Sequence, residues 1–356
     1  MLFTGLALGV ALGFVFQRGR FCVTGAFRDV WLSRSTRWLT AFGLAIAVQA
    51  VLVQSLLAAG LIKAGVPQIA WLGVIGGSFL FGIGIVLAGG CATGTYYRSG
   101  EGLIGSWIAL IFYALLASTM KYGALKPFND AVLAQKSELT TIQGSLGISV
   151  WFLVAALVAV VAWALARQRN RHVAVIAPTS DRTGLARLLF DRPWSPNATA
   201  VVVGVLAAVA YPLSNATGRN AGLGITTPSA NIVQFLTTGD AASIDWGVLF
   251  VLGLIPGSYL AAKLSGEFRL RAPDARTAVR AVTGGTLMGV GAALAGGCTI
   301  GNSLVQTALF SYQGWVAFAF TLLGVGAGAR FFVTTHRRAG AQPVLLTRDD
   351  DLVGAR

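Results

Sequence analysis

Charged residues are scarce in this sequence. Only 11% of its 356 residues are Asp, Glu, Lys or Arg, whereas an average soluble chain has roughly 25%. A soluble protein with so few charges could not cover its surface, so the composition excludes an ordinary cytosolic enzyme. Hydrophobic residues make up 55% of the chain, and apolar runs of about 20 residues, long enough to span a bilayer as a helix, recur throughout. The sequence predicts an all-α polytopic membrane protein.

Residues that bind metals or carry protons are also few. The chain has three cysteines, three methionines and two histidines, and the odd number of widely spaced cysteines makes no disulfide framework. The absence of a CxxC pair or a methionine cluster disfavours a metal pathway, so neither a metal site nor a cofactor is predicted. No Asp, Glu or His falls in the middle of a predicted span, which disfavours a proton or cation pathway.

Hydropathy predicts about nine membrane-spanning helices and several shorter apolar pieces. The first run lacks a basic segment and a cleavage site, so it is predicted to be a span rather than a signal peptide. Three pieces near 21–32, 228–238 and 301–310 are too short to cross and are predicted to be half-helices or re-entrant segments. The predicted spans are centred on 2–17, 39–62, 69–90, 103–119, 148–166, 198–214, 246–262, 279–297 and 314–333.

The formal net charge of +14 predicts an orientation rather than a nucleic-acid partner. If the N-terminus is periplasmic, 22 of the 27 Lys and Arg residues fall on the cytoplasmic side, where positive residues concentrate. The sequence therefore predicts a multi-pass protein with a periplasmic N-terminus and a cytoplasmic C-terminus. The residues left outside are Lys63, Lys121, Lys126, Lys136 and Arg219.

One sequence motif occurs twice. Residues 82–94 read GIGIVLAGGCATG and residues 289–301 read GVGAALAGGCTIG. The predicted topology carries the first copy inward and the second outward, which is typical of two inverted-topology halves around a central pathway. A weaker echo relates Cys22 to Ile225. The predicted domains are a first half (1–166), a basic cytoplasmic linker (167–196), a second half (197–335) and a cytoplasmic tail (336–356).

The AGGC motifs predict interrupted helices. Each glycine weakens a helix by about 1 kcal/mol relative to alanine, and backbone groups freed inside a bilayer must be buried in protein or face a cavity. The other interpretation is close packing of unbroken helices, with cysteines as small apolar residues. The residues predicted to form the breaks and anion-binding helix starts are Arg20, Thr24, Gly89, Gly90, Thr93, Gly94, Arg98, Gly296, Gly297, Thr299 and Gly301.

The chemistry expected at such breaks suits an anion. Helix N-termini present unpaired N–H groups and a partial positive charge. Cys22, Cys91 and Cys298 each stand close to a predicted helix start, and neutral thiols are weak hydrogen-bond donors. A pathway lined by thiols, hydroxyls and N–H groups is predicted to accept a small sulfur-containing oxyanion.

Three segments carry a family resemblance: QRGRFCVTGAFRD (17–29), AGGCATGTYYRSGEG (88–102) and AGGCTIGN (295–302). Together they resemble the YeeE/YedE family of bacterial sulfur-transport membrane proteins. The resemblance implies thiosulfate uptake across the bacterial inner membrane through an hourglass-shaped, pseudo-twofold helical fold, with Cys22, Cys91 and Cys298 relaying the ion through S–H···S contacts. It also implies a soluble TusA-like sulfur-carrier protein as a partner, while some relatives are tied to selenium compounds instead.

Two other functions compete with transport. A membrane-embedded thiol enzyme of the sulfurtransferase type would need a thiolate beside a base or a cation. No His, Lys or Asp lies within a few residues of Cys91 or Cys298, so a transporter is favoured over an enzyme. The third possibility is a scaffold that only recruits a sulfurtransferase.

Overall fold

The computed structural model describes residues 1–168, 189–190 and 194–334. Within these ranges the chain is helical and contains no β-strand longer than an isolated bridge. Most of the predicted linker (167–196) and all of the predicted tail (336–356) lie outside the described residues, so these domain boundaries stay predictions.

The helices follow one another with short connections. In the first part of the chain they are α1 (Phe3–Gly19), α2 (Val23–Leu32), α3 (Arg37–Ala58), α4 (Trp71–Leu87), α5 (Ala92–Gly100), α6 (Ile104–Lys121), α7 (Lys126–Leu133), α8 (Ile142–Leu146) and α9 (Val150–Gln168). After the linker they are α10 (Pro196–Asn215), α11 (Thr226–Thr238), α12 (Trp246–Leu264), α13 (Ala275–Leu294), the π-helical α14 (Thr299–Gln306) and α15 (Tyr312–Ala329).

The number of spans agrees with the hydropathy of the sequence. Eight helical segments in the described ranges are long and apolar enough to cross a membrane, and α13 with α14, bent by 43°, makes a ninth. The pairs α1–α2 and α4–α5 each form a single interrupted span. The predicted short pieces near 21–32, 228–238 and 301–310 correspond to α2, α11 and α14. The prediction of an all-α polytopic membrane protein is confirmed.

Contacts between helices recur in the two halves with the partners exchanged. Helix α1 packs on α12 and α10 packs on α3, while α4 packs on α15 and α13 packs on α6. Helices α4 and α13, which end immediately before the two AGGC motifs, pack on each other. This exchange is the contact pattern expected of two related halves, whereas their opposite orientation in the membrane stays a prediction.

Glycine allows these helices to approach closely. A side chain on Gly9 of α1 would collide with the carbonyl of Phe250, and one on Gly257 of α12 would collide with the carbonyl of Val10. Small residues let helix backbones approach within a membrane, where packing replaces the hydrophobic effect as the driving force. Part of the glycine excess therefore serves helix packing, and the helix breaks account for another part.

Candidate substrate pathway

Both AGGC motifs interrupt a helix. Helix α4 ends at Leu87 and α5 begins at Ala92, while α13 ends at Leu294 and α14 begins at Thr299. At these interruptions Gly89 has a φ of +71° and Gly296 has a φ of +70°. A side chain in this left-handed region costs about 1–2 kcal/mol. The helix interruption predicted at both motifs is therefore observed, and the interpretation as unbroken helices is wrong.

The second glycine of each motif is not required by the backbone conformation. Neither Gly90 nor Gly297 has a positive φ. A methyl group at Gly90 would lie 3.5 Å from Nη1 of Arg98, an ordinary contact, whereas one at Gly297 would lie 3.0 Å from Oδ1 of Asn302. The backbone conformation thus requires the first glycine, while packing restricts the second only at Gly297.

Each cysteine immediately precedes a half-helix. Cys22 precedes α2, Cys91 precedes α5 and Cys298 precedes α14, all with extended backbone. Each cysteine therefore stands at the N-terminal, positive end of a helix, where backbone N–H groups lack partners within the helix. The N–H of Gly94 donates to Sγ of Cys91 at 3.4 Å, whereas the Cys22 and Cys298 side chains accept no such capping hydrogen bond in the described residues.

The three thiols follow one another through the protein. A methyl group at Gly94 would lie 3.6 Å from Sγ of Cys91 and 3.9 Å from Sγ of Cys22. The Cys91 thiol also lies close to Thr299, the neighbour of Cys298 in the chain. Cys91 and Cys298 are buried and Cys22 is half-buried. Cys91 therefore occupies the middle position, and Cys22 lies at a partly exposed end.

Threonine hydroxyls accompany the thiols. Thr24, Thr93 and Thr299 follow the three cysteines within two residues, and all three side chains are buried. None of their hydroxyl oxygens has a hydrogen-bond partner among the described residues. Leaving a buried polar group unpaired costs about 1–3 kcal/mol, so these hydroxyls are suited to a polar ion or water. Thr95 differs, because its hydroxyl donates to the carbonyl of Ala92 at 2.6 Å.

Arg98 connects the first break to the first thiol. Its Nη1 donates to the carbonyl of Gly89, and its Nη2 donates to Sγ of Cys22 at 3.8 Å. The freed carbonyl at the break is thereby paired, and a positive charge is held beside the partly exposed end of the pathway. The contact places a cation beside the Cys22 thiol, and the spacing of the two residues in the sequence did not reveal it.

Arg20 lies farther toward the surface. Its side chain is 67% exposed and pairs with Oε2 of Glu267 at 3.2 Å, and Gln17 donates to the same carboxylate oxygen at 2.6 Å. Nearby, burial raises the pKa of the Glu101 carboxyl, and the positive charge of Arg20 partly opposes this shift. Arg20 is therefore paired at the surface close to the Cys22 end.

Two amide side chains, which the sequence analysis did not predict, stabilise the second break. Nδ2 of Asn302 donates to the carbonyls of Ala295 at 2.9 Å and Gly297 at 3.1 Å. Nε2 of Gln313 donates to the carbonyl of Ala295 at 3.2 Å and to Oδ1 of Asn302 at 3.0 Å. The only sequence signal was the position of Asn302 inside AGGCTIGN, since Gln313 is eleven residues further along the chain.

A cavity of about 170 Å³ opens at the Cys298 end of the pathway. Cys298 and Gly301 lie on one wall, and Ile225 and Thr226, at the start of α11, lie on another. A methyl group at Gly301 would meet no atom within 4 Å. Gly301 therefore faces open space, and the half-helix after Cys298 borders a volume that can hold a small solute.

Arg219 also lines this cavity. It lies in the connection between α10 and α11, outside the spans. Burial lowers the pKa of its guanidinium, and the nearby carboxylate of Asp245 raises it in part. Arginine stays charged in either case. The sequence showed Arg219 only as one of five cations outside the membrane, because the cavity arises from segments far apart in the chain.

No metal centre accompanies these groups in the described ranges. No three His, Cys, Asp or Glu side chains lie close enough together there to hold a metal ion. Thiols placed at helix breaks and helix N-termini inside a multi-pass bundle are typical of membrane transporters with interrupted helices.

The family follows from the sequence itself. Residues 18–327 match the family described as sulphur transport, and the chain belongs to this family. The resemblance to YeeE/YedE proteins is thereby confirmed.

Two named relatives match almost the whole chain, and a third matches less than half of it. The thiosulfate transporter TsuA of Escherichia coli is 49% identical over 343 residues, which cover 95% of this chain and 97% of that protein. The thiosulfate transporter TsuA of Spirochaeta thermophila is 34% identical over 340 residues, covering 91% and 97%. The probable transporter YedE of Escherichia coli is 34% identical over 170 residues, covering 45% of this chain and 41% of that protein.

Proposed function

We propose that this chain takes up thiosulfate across the inner membrane by passing it from Cys298 to Cys91 and then to Cys22. The two relatives that match nearly the whole chain are named thiosulfate transporters. The observation that carries the proposal is the repeated placement of a thiol immediately before a half-helix. The names of these relatives support thiosulfate as the substrate, and the positions of the helix starts support the proposed path.

The physical problem of moving a divalent anion through a bilayer is desolvation. An ion that leaves water needs replacement hydrogen bonds, because an unpaired buried charge costs several kcal/mol. Backbone N–H groups at helix starts and the unpaired hydroxyls of Thr24, Thr93 and Thr299 supply them. Thiols are weak donors, so each contact is modest. Such contacts admit the ion without trapping it, as conduction requires.

The span count supports opposite orientations of the two halves. In the described ranges, four spans precede α9 and four follow it, if α13 and α14 count as one. With α9 as the one described crossing between the two sets, each half would begin on a different side of the membrane. Together with the distribution of Lys and Arg, this supports a periplasmic N-terminus and a cytoplasmic C-terminus. The proposed halves remain 1–166 and 197–335, joined by a cytoplasmic linker.

Cysteine labelling tests the orientation. Ser180→Cys, placed in a variant without the native cysteines, should react with a membrane-impermeant thiol reagent only after the cells are permeabilised. Labelling in intact cells would contradict the cytoplasmic linker and the inverted arrangement.

The receiving side of the membrane has a proposed partner. As the family resemblance implies, we propose that a soluble TusA-like sulfur carrier accepts the substrate near Cys22. Such a carrier should bind the purified protein in a pull-down assay, and a lack of binding with and without thiosulfate would contradict the partnership.

Uptake into liposomes tests the transport itself. Liposomes that contain only the purified protein should accumulate radiolabelled thiosulfate, and protein-free liposomes serve as the control. Thiosulfate labelled at both sulfur positions should keep its label ratio, because the ion crosses intact. A changed ratio together with a persulfide on a cysteine would favour a sulfurtransferase. No uptake at all would favour a scaffold.

A further inference from the structure

The cavity beside Cys298 is lined by an arginine, Arg219, whose presence the three thiols do not explain. Arg219 follows the end of α10, and its backbone carbonyl accepts hydrogen bonds from the Ser214 hydroxyl at 3.3 Å and the Ala221 N–H at 2.9 Å. The main chain is therefore held in place on both sides of the residue. Its side chain enters the cavity from a well-anchored loop.

The guanidinium itself has unused donors. Nη1 is buried and has no hydrogen-bond partner among the described residues. A methyl group at Gly224 would lie 3.3 Å from Nη2, so the guanidinium lies against the backbone that leads into α11. On another side it lies 5.9 Å from the ring centre of Trp246. An arginine donor that is buried without a partner is costly, and here it borders a cavity.

The neighbouring charges leave the positive charge in excess. The carboxylate of Asp245 is close by, and its Oδ1 accepts the N–H of Val248 at 2.9 Å as the cap of α12. In the described parts of the chain, no carboxylate oxygen lies within 4 Å of the Arg219 guanidinium. A second cation is close, because Nζ of Lys121 donates to Oγ1 of Thr227 in the first turn of α11.

We propose that Arg219 is the residue that receives and selects the anion at the outer end of the pathway. The inference rests on the proposed function and adds a site to it. A small divalent sulfur oxyanion in the cavity would accept hydrogen bonds from Nη1 through an oxygen and face the Cys298 thiol. The cavity is larger than a single water requires. Arginine suits oxyanions because its donors form a planar fork.

Uptake kinetics in liposomes test this role. Arg219→Gln should raise KM for thiosulfate by about tenfold or more, as expected for a lost charge-assisted hydrogen bond, and change kcat much less. Arg219→Lys should restore part of the affinity. Lys63→Gln removes an exposed cation from the same predicted side and should keep the wild-type KM.

A binding measurement separates selection from later steps. Binding of radiolabelled thiosulfate to purified Cys91→Ala protein should weaken about tenfold when Arg219→Gln is added, and an unchanged affinity would overturn the inference. An unchanged KM in an active Arg219→Gln transporter would also overturn it, while thiosulfate transport by the wild type would still stand. If the wild-type protein transports no thiosulfate, the proposed function itself fails. If Arg219→Gln does not fold, the test uses Arg219→Lys. Wild-type thiosulfate affinity in this variant, together with unchanged competition by monovalent anions, would contradict selection by the guanidinium fork.

Discussion

Arg98 donates a hydrogen bond to the carbonyl oxygen of Gly89, and this bond pairs a backbone group that the first helix break leaves free. At the second break, the amide of Asn302 pairs the equivalent region by donating to the carbonyls of Ala295 and Gly297. Because the bilayer interior offers no water, each break needs such a partner. The two halves thus meet the same requirement with a charged side chain in one and a neutral side chain in the other.

This difference decides where positive charge lies along the pathway. Arg98 serves both the break and the Cys22 thiol, so the first half carries its own cation. The break beside Cys298 is braced by neutral amides, and the cation at that end comes from the loop that contains Arg219. One cation therefore lies beside Cys22 and another lies near Cys298. The two cations do not come from related positions of the two halves.

The central thiol should be the most sensitive to chemical change. We expect Cys91→Ala to lower kcat/KM for thiosulfate about tenfold, because a hydrogen-bond partner of the ion is lost. Cys91→Ser should lower both kcat and KM, since a hydroxyl is a stronger donor and releases the ion more slowly. The measurement is uptake into liposomes, with membrane protein level as the control. Full uptake by Cys91→Ala at normal expression would contradict the relay.

The two glycines of the first break provide a matched pair. Gly89→Ala should destabilise the protein by about 1–2 kcal/mol, because the new side chain must adopt a left-handed conformation. Gly90→Ala should have little effect, since its methyl group makes only ordinary contacts. Thermal unfolding of the two purified variants in the same detergent measures the difference. Equal unfolding temperatures would show that the conformation at Gly89 costs nothing.

The unpaired hydroxyl beside Cys91 separates binding from stability. Thr299→Val should leave the thermal stability unchanged or raise it, because no described group pairs with the hydroxyl, yet it should raise KM for thiosulfate several-fold. Thr307→Val is the control, since this buried hydroxyl donates to the carbonyl of Ser303 at 2.8 Å. Its loss should cost about 1 kcal/mol of stability without a change in KM. A wild-type KM for Thr299→Val would remove the hydroxyl from the pathway.

Filling the outer cavity should block uptake without unfolding the protein. Gly301→Leu places a side chain into open space, because nothing lies within 4 Å of a methyl group there. Gly76→Leu is the matched control, as Gly76 is an exposed glycine in α4 that also has nothing within 4 Å. We expect uptake to fall at least tenfold in the first variant and to stay normal in the second. Normal uptake by a folded Gly301→Leu protein would exclude the cavity from the route.

Much of the architecture follows from local sequence. Apolar runs of bilayer length predict the spans, because every backbone polar group inside a membrane must be paired within a helix. The paired glycines of AGGC predict the breaks, since glycine has a low helix propensity and adopts positive φ freely. Short apolar pieces predict α2, α11 and α14 for reasons of length alone. These features depend on residues close together in the chain.

The site depends on contacts that the sequence does not reveal. Arg98 reaches Cys22 across 76 residues, and Thr299 meets Cys91 across the two halves. Neither contact has a periodic pattern that would predict it. The sequence does not predict the positions of Asn302 and Arg219 beside the second break and the cavity, because a polar side chain acquires its neighbours only when distant segments pack together.

Local sequence alone predicts the membrane class, the positions of the helices and the places where they break. Each of these results from the bilayer acting on a short stretch of chain. Folding alone brings the three thiols close together, places Arg98 at the first break and puts Arg219 at the cavity beside Cys298. Because α4 packs on α13, the two broken helices meet, and neighbours in the proposed pathway come from segments some two hundred residues apart in the sequence.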